Sequence, residues 1–131
     1  MQTLLEGGLC ASLGMRLTAA SPSEVVAALT VDERTRQPYG VAHGGALASL
    51  AETVASVGGL QFVDYPAEVV VGQHVSIDFL RPARGEVVAT GRPVHVGGRT
   101  QVWDITLHAG DELIAVARVT VARIPAERIE R

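Results

Sequence analysis

The sequence predicts an α+β domain in which an antiparallel sheet of five to six strands packs on one long helix, and three observations carry that prediction. Between residues 45 and 58 the apolar side chains Leu47, Leu50, Ala51, Val54 and Val57 recur at spacings of three and four, which marks one buried helix face. Downstream the period changes to two: Val75, Ile77 and Phe79 alternate with His74, Ser76 and Asp78, and Trp103, Ile105 and Leu107 alternate with Val102, Asp104 and Thr106. Turn residues fall between these runs, at 82–85, 97–98 and 109–111, so four strands are expected to follow one another as antiparallel hairpins.

The elements ahead of the helix are shorter. Residues 3–13 form a helical lead-in, and residues 15–20 and 24–31 read as two strands joined by a turn at Ser21-Pro22-Ser23. Residues 32–39 are polar and hold Pro38, so they are expected to be a loop. His43-Gly44-Gly45 supply a tight helix entry and Gly58-Gly59 a glycine C-cap. One helix set against six strands leaves sheet surface for a second copy of the chain.

Length and composition narrow the function classes. The 131 residues suit one domain, 1–131, and leave no room for a second. With 47% hydrophobic and 19% charged residues the chain has material for a core. A net charge of −3 and few aromatic residues provide no basic stripe, so nucleic acid is not expected as a partner. All eleven basic residues are Arg, which excludes Lys-centred chemistry and keeps Arg available for phosphate. Cys10 is the sole cysteine, so no intrachain disulfide forms and a reduced, cytoplasmic setting is expected. Residues 1–14 lack a basic start and carry Glu6, unlike a signal peptide. The longest uncharged stretch, 37–51, is broken by Pro38, His43 and glycines, and falls short of the ~20 residues of a membrane span. His74, His95 and His108 show no metal-ligand spacing, and no GxSxG, CxxC or P-loop is present, so neither metal nor cofactor is expected.

The chemistry concentrates in the helix. Within residues 41–60 the only formally charged side chain is Glu52, and its neighbours one turn away, Ala48, Ser49, Ala55 and Ser56, are all small. They leave a shallow trough beside a carboxylate with little competing hydration, suited to act as base or nucleophile. Ser56 is placed to hold that carboxylate or a water. At the helix start the N–H groups of Gly44, Gly45 and Ala46 are expected to lack intrahelical acceptors and to carry the positive end of the dipole, which suits a developing oxyanion. His43 is a candidate hydrogen-bond donor there, where the dipole disfavours an imidazolium, and Gln37 brings a neutral amide from the preceding loop. Gly45 and Glu52 are seven residues apart, roughly 10 Å along one helix axis, too far for one carbonyl to touch both. An antiparallel helix from a second chain brings them together, so a site shared across a two-fold dimer is expected.

Gln37, then Val41-Ala42-His43-Gly44-Gly45-Ala46, then Leu50-Ala51-Glu52-Thr53 with Ser56 one turn later, closely resembles the hotdog-fold acyl-CoA thioesterases. Within them the chain looks like the branch holding the Arthrobacter-type 4-hydroxybenzoyl-CoA and the 1,4-dihydroxy-2-naphthoyl-CoA thioesterases. The resemblance extends through the residues Val94-His95-Val96-Gly97-Gly98-Arg99-Thr100-Gln101-Val102-Trp103. It implies a sheet wrapped around one helix, paired into a homodimer and stacked into a homotetramer, acting on an aroyl-CoA with CoA as part of the substrate. It implies Glu52 as catalytic carboxylate, the Gly45 N–H as oxyanion donor, Gln37 and His43 as helpers around the thioester carbonyl, and Ser56 as a positioning hydroxyl. The CoA would be held by Gly44, Phe79, Arg81, Gly97, Gly98, Arg99 and Thr100. Phe79 stands where some members carry His, and Gly98 where Ser or Thr is common, which leaves only the backbone N–H there. A hotdog acyl-CoA hydratase or dehydratase, a non-catalytic acyl-CoA binding module and a structural assembly protein are the alternatives.

Overall fold

A computed structural model describes residues 2–130; Met1 and Arg131, the ends of the expected domain, lie outside the described residues. A 3-10 turn (Gln2–Leu5) and a short helix α1 (Gly8–Ser12) lead into β1 (Arg16–Ser21) and β2 (Glu24–Val31). The long helix α2 (Gly44–Leu60) follows, then β3 (Glu68–Phe79), β4 (Gly85–Val96), β5 (Thr100–Ala109), β6 (Glu112–Pro125) and a last 3-10 turn (Ala126–Arg128). All pairings are antiparallel, in one six-stranded sheet of order β1-β2-β4-β5-β6-β3. The expected α+β class, with a sheet around one helix, is what forms.

The order of the strands corrects one expectation. Only β4, β5 and β6 form a meander; β3 leaves α2 at the far edge and pairs with β6, with Glu68 opposite Pro125 and Phe79 opposite Ala115. Residues 82–85 are therefore not a hairpin turn but part of a crossover from one edge to the sheet interior. Its backbone is satisfied elsewhere: Leu80 and Arg81 donate to the Ile114 carbonyl at 2.8 and 3.2 Å, and Ala83 accepts from Ala42 N–H at 2.9 Å. At fourteen residues β6 spans the whole length of β3.

The helix buries Leu47, Leu50, Ala51, Val54 and Val57 against Val25, Leu29, Val87, Trp103, Ile105, Val119 and Val121 of the sheet. Each large side chain so buried contributes roughly 1.5–3 kcal/mol before entropy is counted. Gly58 and Gly59, expected as a C-cap, lie inside the helix, which runs on to Leu60 and is capped by Gln61. Packing is the reason: a Cβ at Gly58 would enter the Trp103 indole, and one at Gly59 would lie 3.0 Å from Val70 and 3.2 Å from Val121. Trp103 donates to Gln101 Oε1 at 3.0 Å and Gln101 Nε2 donates to Gly59 O at 3.2 Å, a buried relay that pins this end of the helix to β5. Among the described residues no helix is long and apolar enough to cross a membrane.

Candidate functional site

The loop before α2 sets Gln37 and His43. Thr35, 1% exposed, donates its hydroxyl to Thr30 O at 2.7 Å and accepts from Asp32 N–H at 3.0 Å. The side-chain hydrogen bonds from Arg34 hold the Asp32 carboxyl below the usual carboxylate range. From this anchor Thr35 O accepts His43 N–H at 2.8 Å, while Gln37 N–H bonds Val41 O at 2.8 Å and Gly40 N–H bonds Gln37 O at 2.9 Å. The loop thus closes as a tight excursion between the two candidate residues.

His43 is the N-cap of α2, and its Nδ1 accepts from Gly45 N–H at 2.8 Å. The His43 carbonyl accepts from Ala46 and Leu47 at 3.0 and 3.2 Å. Of the three donors expected to be open, Gly45 and Ala46 are therefore engaged, and Gly44 N–H alone has no acceptor among the described residues. The reason is local: an imidazole at N-cap competes for the same orphan donors as any incoming oxyanion. Accepting at Nδ1 requires the neutral ring to carry its proton on Nε2, which makes the exposed edge of His43 a donor.

Glu52 is half-buried on the face of α2 turned to β3, at the level of Gly72. A Cβ at Gly72 would overlap the Glu52 carboxylate and lie 3.0 Å from its Cδ, so a glycine there is what lets the acid fold down onto the strand. The Gly72/His74 bulge in β3 shifts the inward parity, so Val70 and Gly72 face α2 on one side of it and Val75 and Ile77 on the other. Among the described residues neither Glu52 nor Ser56 has a hydrogen-bond or ion-pair partner. Ser56 does not hold Glu52; it stands beside it as a free hydroxyl. Thr53 instead donates to Ser49 O at 2.7 Å and meets Cys10 Sγ at 3.6 Å.

Eight of the predicted residues fall into three clefts within one chain. Glu52 and Ser56 line a groove of about 300 Å³. Gln37, Gly44, Phe79 and Arg81 line a second of about 350 Å³, where Phe79 lies over Gly44. His43 and Gly45 line a third of about 250 Å³ with Arg34 and Arg36. Gly97, Gly98, Arg99 and Thr100 form the β4–β5 turn, closed by Gly97 N–H to Thr100 O at 2.9 Å, with Arg99 O accepting from Arg123 N–H at 2.8 Å. Arg81 and Arg99 are both exposed and have no ion-pair partner among the described residues. They do not meet: Thr100 lies across from Ala122 and Val71, Arg81 just past Phe79. Val71 and Phe79 are eight positions apart on β3, roughly 26 Å at the rise of a strand.

Sequence reasoning did not single out Gly72 or Gln101. A glycine inside an otherwise β-branched run, Val69-Val70-Val71-Gly72, is the signal that marks a close approach. Gln101 carried none, because its role depends on a helix glycine forty-two residues away. Among the described residues no group of three His, Cys, Asp or Glu is placed to hold a metal ion.

The sequence profile of the Thioesterase superfamily matches residues 39–120. A 1,4-dihydroxy-2-naphthoyl-CoA hydrolase of Listeria monocytogenes is 33% identical over 117 residues, spanning 88% of this chain and 94% of the relative. One of the same name from Escherichia coli is 37% identical over 103 residues, 78% of this chain and 75% of the relative. The crystal structure of a thioesterase from Haemophilus influenzae superposes with a TM-score of 0.89 at 33% identity, covering 95% of this chain and 88% of that one.

Proposed function

From the premise that the chain belongs to the Thioesterase superfamily and hydrolyses thioesters, we propose that its substrate is an aroyl-CoA, cleaved with Glu52 as the reacting carboxylate in sites shared by two chains. The observation that carries the assignment is the Glu52 carboxylate, half-buried, without a partner among the described residues, and folded onto Gly72. An acid so placed is free to attack the thioester carbonyl or to take a proton from water, and Ser56 stands one turn on to orient that water. As the nucleophile adds to the carbonyl carbon the carbonyl oxygen becomes an oxyanion, and as that oxyanion collapses the C–S bond breaks and the CoA thiolate leaves. The open Gly44 N–H, the helix dipole and the Gln37 amide are the donors for it. The Gly45 N–H, bonded to His43 Nδ1, serves the oxyanion only where that bond is exchanged for it, and the Nε2–H of His43 is a further donor.

The separation of the clefts in one chain supports sharing. In one chain Glu52 and the β4–β5 turn belong to one end of β3, and Gly44, Phe79 and Arg81 to the other. A two-fold axis that sets two α2 helices antiparallel brings the Gly44 end of one protomer to the Glu52 end of its partner. Arg81 of one chain and Gly97, Gly98, Arg99 and Thr100 of the other then flank the same CoA, which neither chain spans alone. The names of the relatives favour a flat aromatic acyl group, which the small residues around Glu52 admit as readily as a slender aliphatic chain. We place the enzyme in the cytoplasm as a homodimer, further paired into a homotetramer.

Mixing two inactive variants tests this. Glu52→Ala and Gln37→Ala chains, each weakened alone, recover about a quarter of wild-type activity when refolded together, because half of the dimers are mixed and each mixed dimer holds one intact site. Recovery no greater than the mean of the two separate variants refutes the shared site.

A further inference from the structure

The loop that carries Gln37 is held at its base and at its tip by different means. At the base, Thr35 O accepts His43 N–H, and Arg36 pairs with Ala42 as an isolated bridge. The tip, residues 37–40, is a β-turn closed by Gly40 N–H on Gln37 O, with Pro38 second in the turn and Gly40 in the left-handed region at φ 87°. Packing does not locate this tip: Pro38 is exposed and Tyr39 is 82% exposed, so neither side chain seats the turn against the domain. Among the described residues one hydrogen bond ties residues 38–41 to a part of the chain outside the loop, from Arg84 Nη1 to Gly40 O at 3.0 Å.

Arg84 reaches that carbonyl from a fixed base. The crossover before it is fastened by Leu80 and Arg81 to Ile114 O, and by buried Ala83, whose carbonyl accepts from Ala42 N–H. A Cβ at Gly40 would lie 3.2 Å from Arg84 Nη1, so guanidinium and glycine are closely fitted. A bond from a charged guanidinium to a carbonyl is stronger than a neutral one. Gln37, first in the turn, lines the same cleft as Gly44, so any shift of the turn moves its amide relative to the open Gly44 N–H. We infer that Arg84 is a positioning residue for the reaction: through the Gly40 carbonyl it fixes the turn, and through the turn it aims the Gln37 amide at the thioester oxygen. The inference rests on the hydrolysis proposed above, with Gln37 as an oxyanion donor, and deepens it by naming the group that sets that donor. An exposed guanidinium on the same crossover as Arg81 has one competing role, contact with a phosphate of CoA. The two roles differ in what they change: a phosphate contact acts on KM and needs the nucleotide, whereas positioning acts on kcat and does not.

The test measures thiol release from benzoyl- and hexanoyl-CoA, and from benzoyl- and hexanoyl-pantetheine, which keep the thioester and carry no phosphate. Wild type is compared with Arg84→Ala, Arg84→Lys, Gln37→Ala and the double variant of Arg84→Ala with Gln37→Ala. Arg84→Ala lowers kcat about tenfold, a part of the roughly 100-fold that loss of an oxyanion donor costs, and leaves KM for the CoA thioesters within about twofold. The pantetheine thioesters lose kcat by the same factor. In the Gln37→Ala background the Arg84→Ala change costs less than about twofold, because the amide it aims is gone. Arg84→Lys, which keeps a charged donor for the Gly40 carbonyl, recovers most of the loss. A change confined to KM of the CoA thioesters and missing with the pantetheine thioesters overturns the inference in favour of a phosphate contact. Losses that multiply in the double variant overturn it as well, since Arg84 then acts without Gln37. Unchanged kcat in Arg84→Ala, with Gln37→Ala impaired, overturns the inference and leaves the hydrolase reading standing. Wild-type turnover in Gln37→Ala, or no thiol release from wild type with any of these thioesters, overturns the reading beneath the inference, and the inference with it.

Discussion

Replacing Gly72 by Ala adds one carbon where the Glu52 carboxylate now lies. The backbone accepts the change: Gly72 is not among the glycines with positive φ, it sits exposed on the edge strand β3, and Ala is the better strand residue. The carboxylate does not. The new Cβ would overlap its nearer oxygen and press on Cδ at 3.0 Å, so the acid has to swing away by about 1 Å to regain ordinary contact. A misplacement of that size in a reacting group lowers turnover by about 100-fold. Because neither a core side chain nor a buried hydrogen bond is lost, Tm should move by no more than a degree or two. The assay is thiol release under saturating substrate beside a thermal melt of the same preparation. Full kcat in Gly72→Ala would refute the claim that the carboxylate works from its place over β3. A large fall in Tm would show that Gly72 matters for folding and not for placing the acid.

Three further outcomes follow from the fold and the helix start. Gly58→Ala should lower stability by about 2 kcal/mol despite the better helix propensity of Ala, since the methyl meets the buried Trp103 ring; a denaturant melt reads this, and a gain in stability would contradict it. His43→Ala removes the Nδ1 cap on Gly45 N–H and should cost about 1 kcal/mol, while His43→Asn, a good N-cap, should recover most of it; equal melts for both variants would show the cap contributes nothing. The hydrogen bonds from Arg123 hold the Glu68 carboxyl below its ordinary value. The unfolded chain therefore binds the proton first as pH falls. The pair's stabilisation is whole above the ordinary carboxylate range and is lost as pH drops through the lowered folded value. Tm of Glu68→Gln should thus decline less steeply on the acid side than wild type, and parallel profiles would refute the linkage.

Much of the fold was legible because its signals are local. Apolar residues three and four apart gave away α2, and strict alternation in 102–107 matches the inward Trp103, Ile105 and Leu107 of β5. What escaped was non-local. The place of β3 at the far edge depends on β6, more than thirty residues downstream, and hairpin reasoning pairs only neighbours. Gly58-Gly59 reads as a helix stop until the indole it must clear is known. At the site, the isolation of Glu52 in the sequence corresponds to isolation in space, since none of the described residues pairs with it. The occupancy of the Gly45 N–H by His43 was hidden, because a histidine two residues ahead of a glycine does not announce that its ring turns back. The proposed shared site starts from the rise of one helix, and the parts assigned to it line three separate clefts of one chain.

The most direct measurement is thiol release from benzoyl-, 4-hydroxybenzoyl-, phenylacetyl- and hexanoyl-CoA by wild type and Glu52→Gln, with CoA affinity measured on both. Removal of the carboxylate's charge at nearly constant shape should lower kcat by about 10³-fold on every substrate while CoA affinity stays within a few-fold. A Glu52→Gln protein that turns these thioesters over at the wild-type rate would contradict the account at its centre.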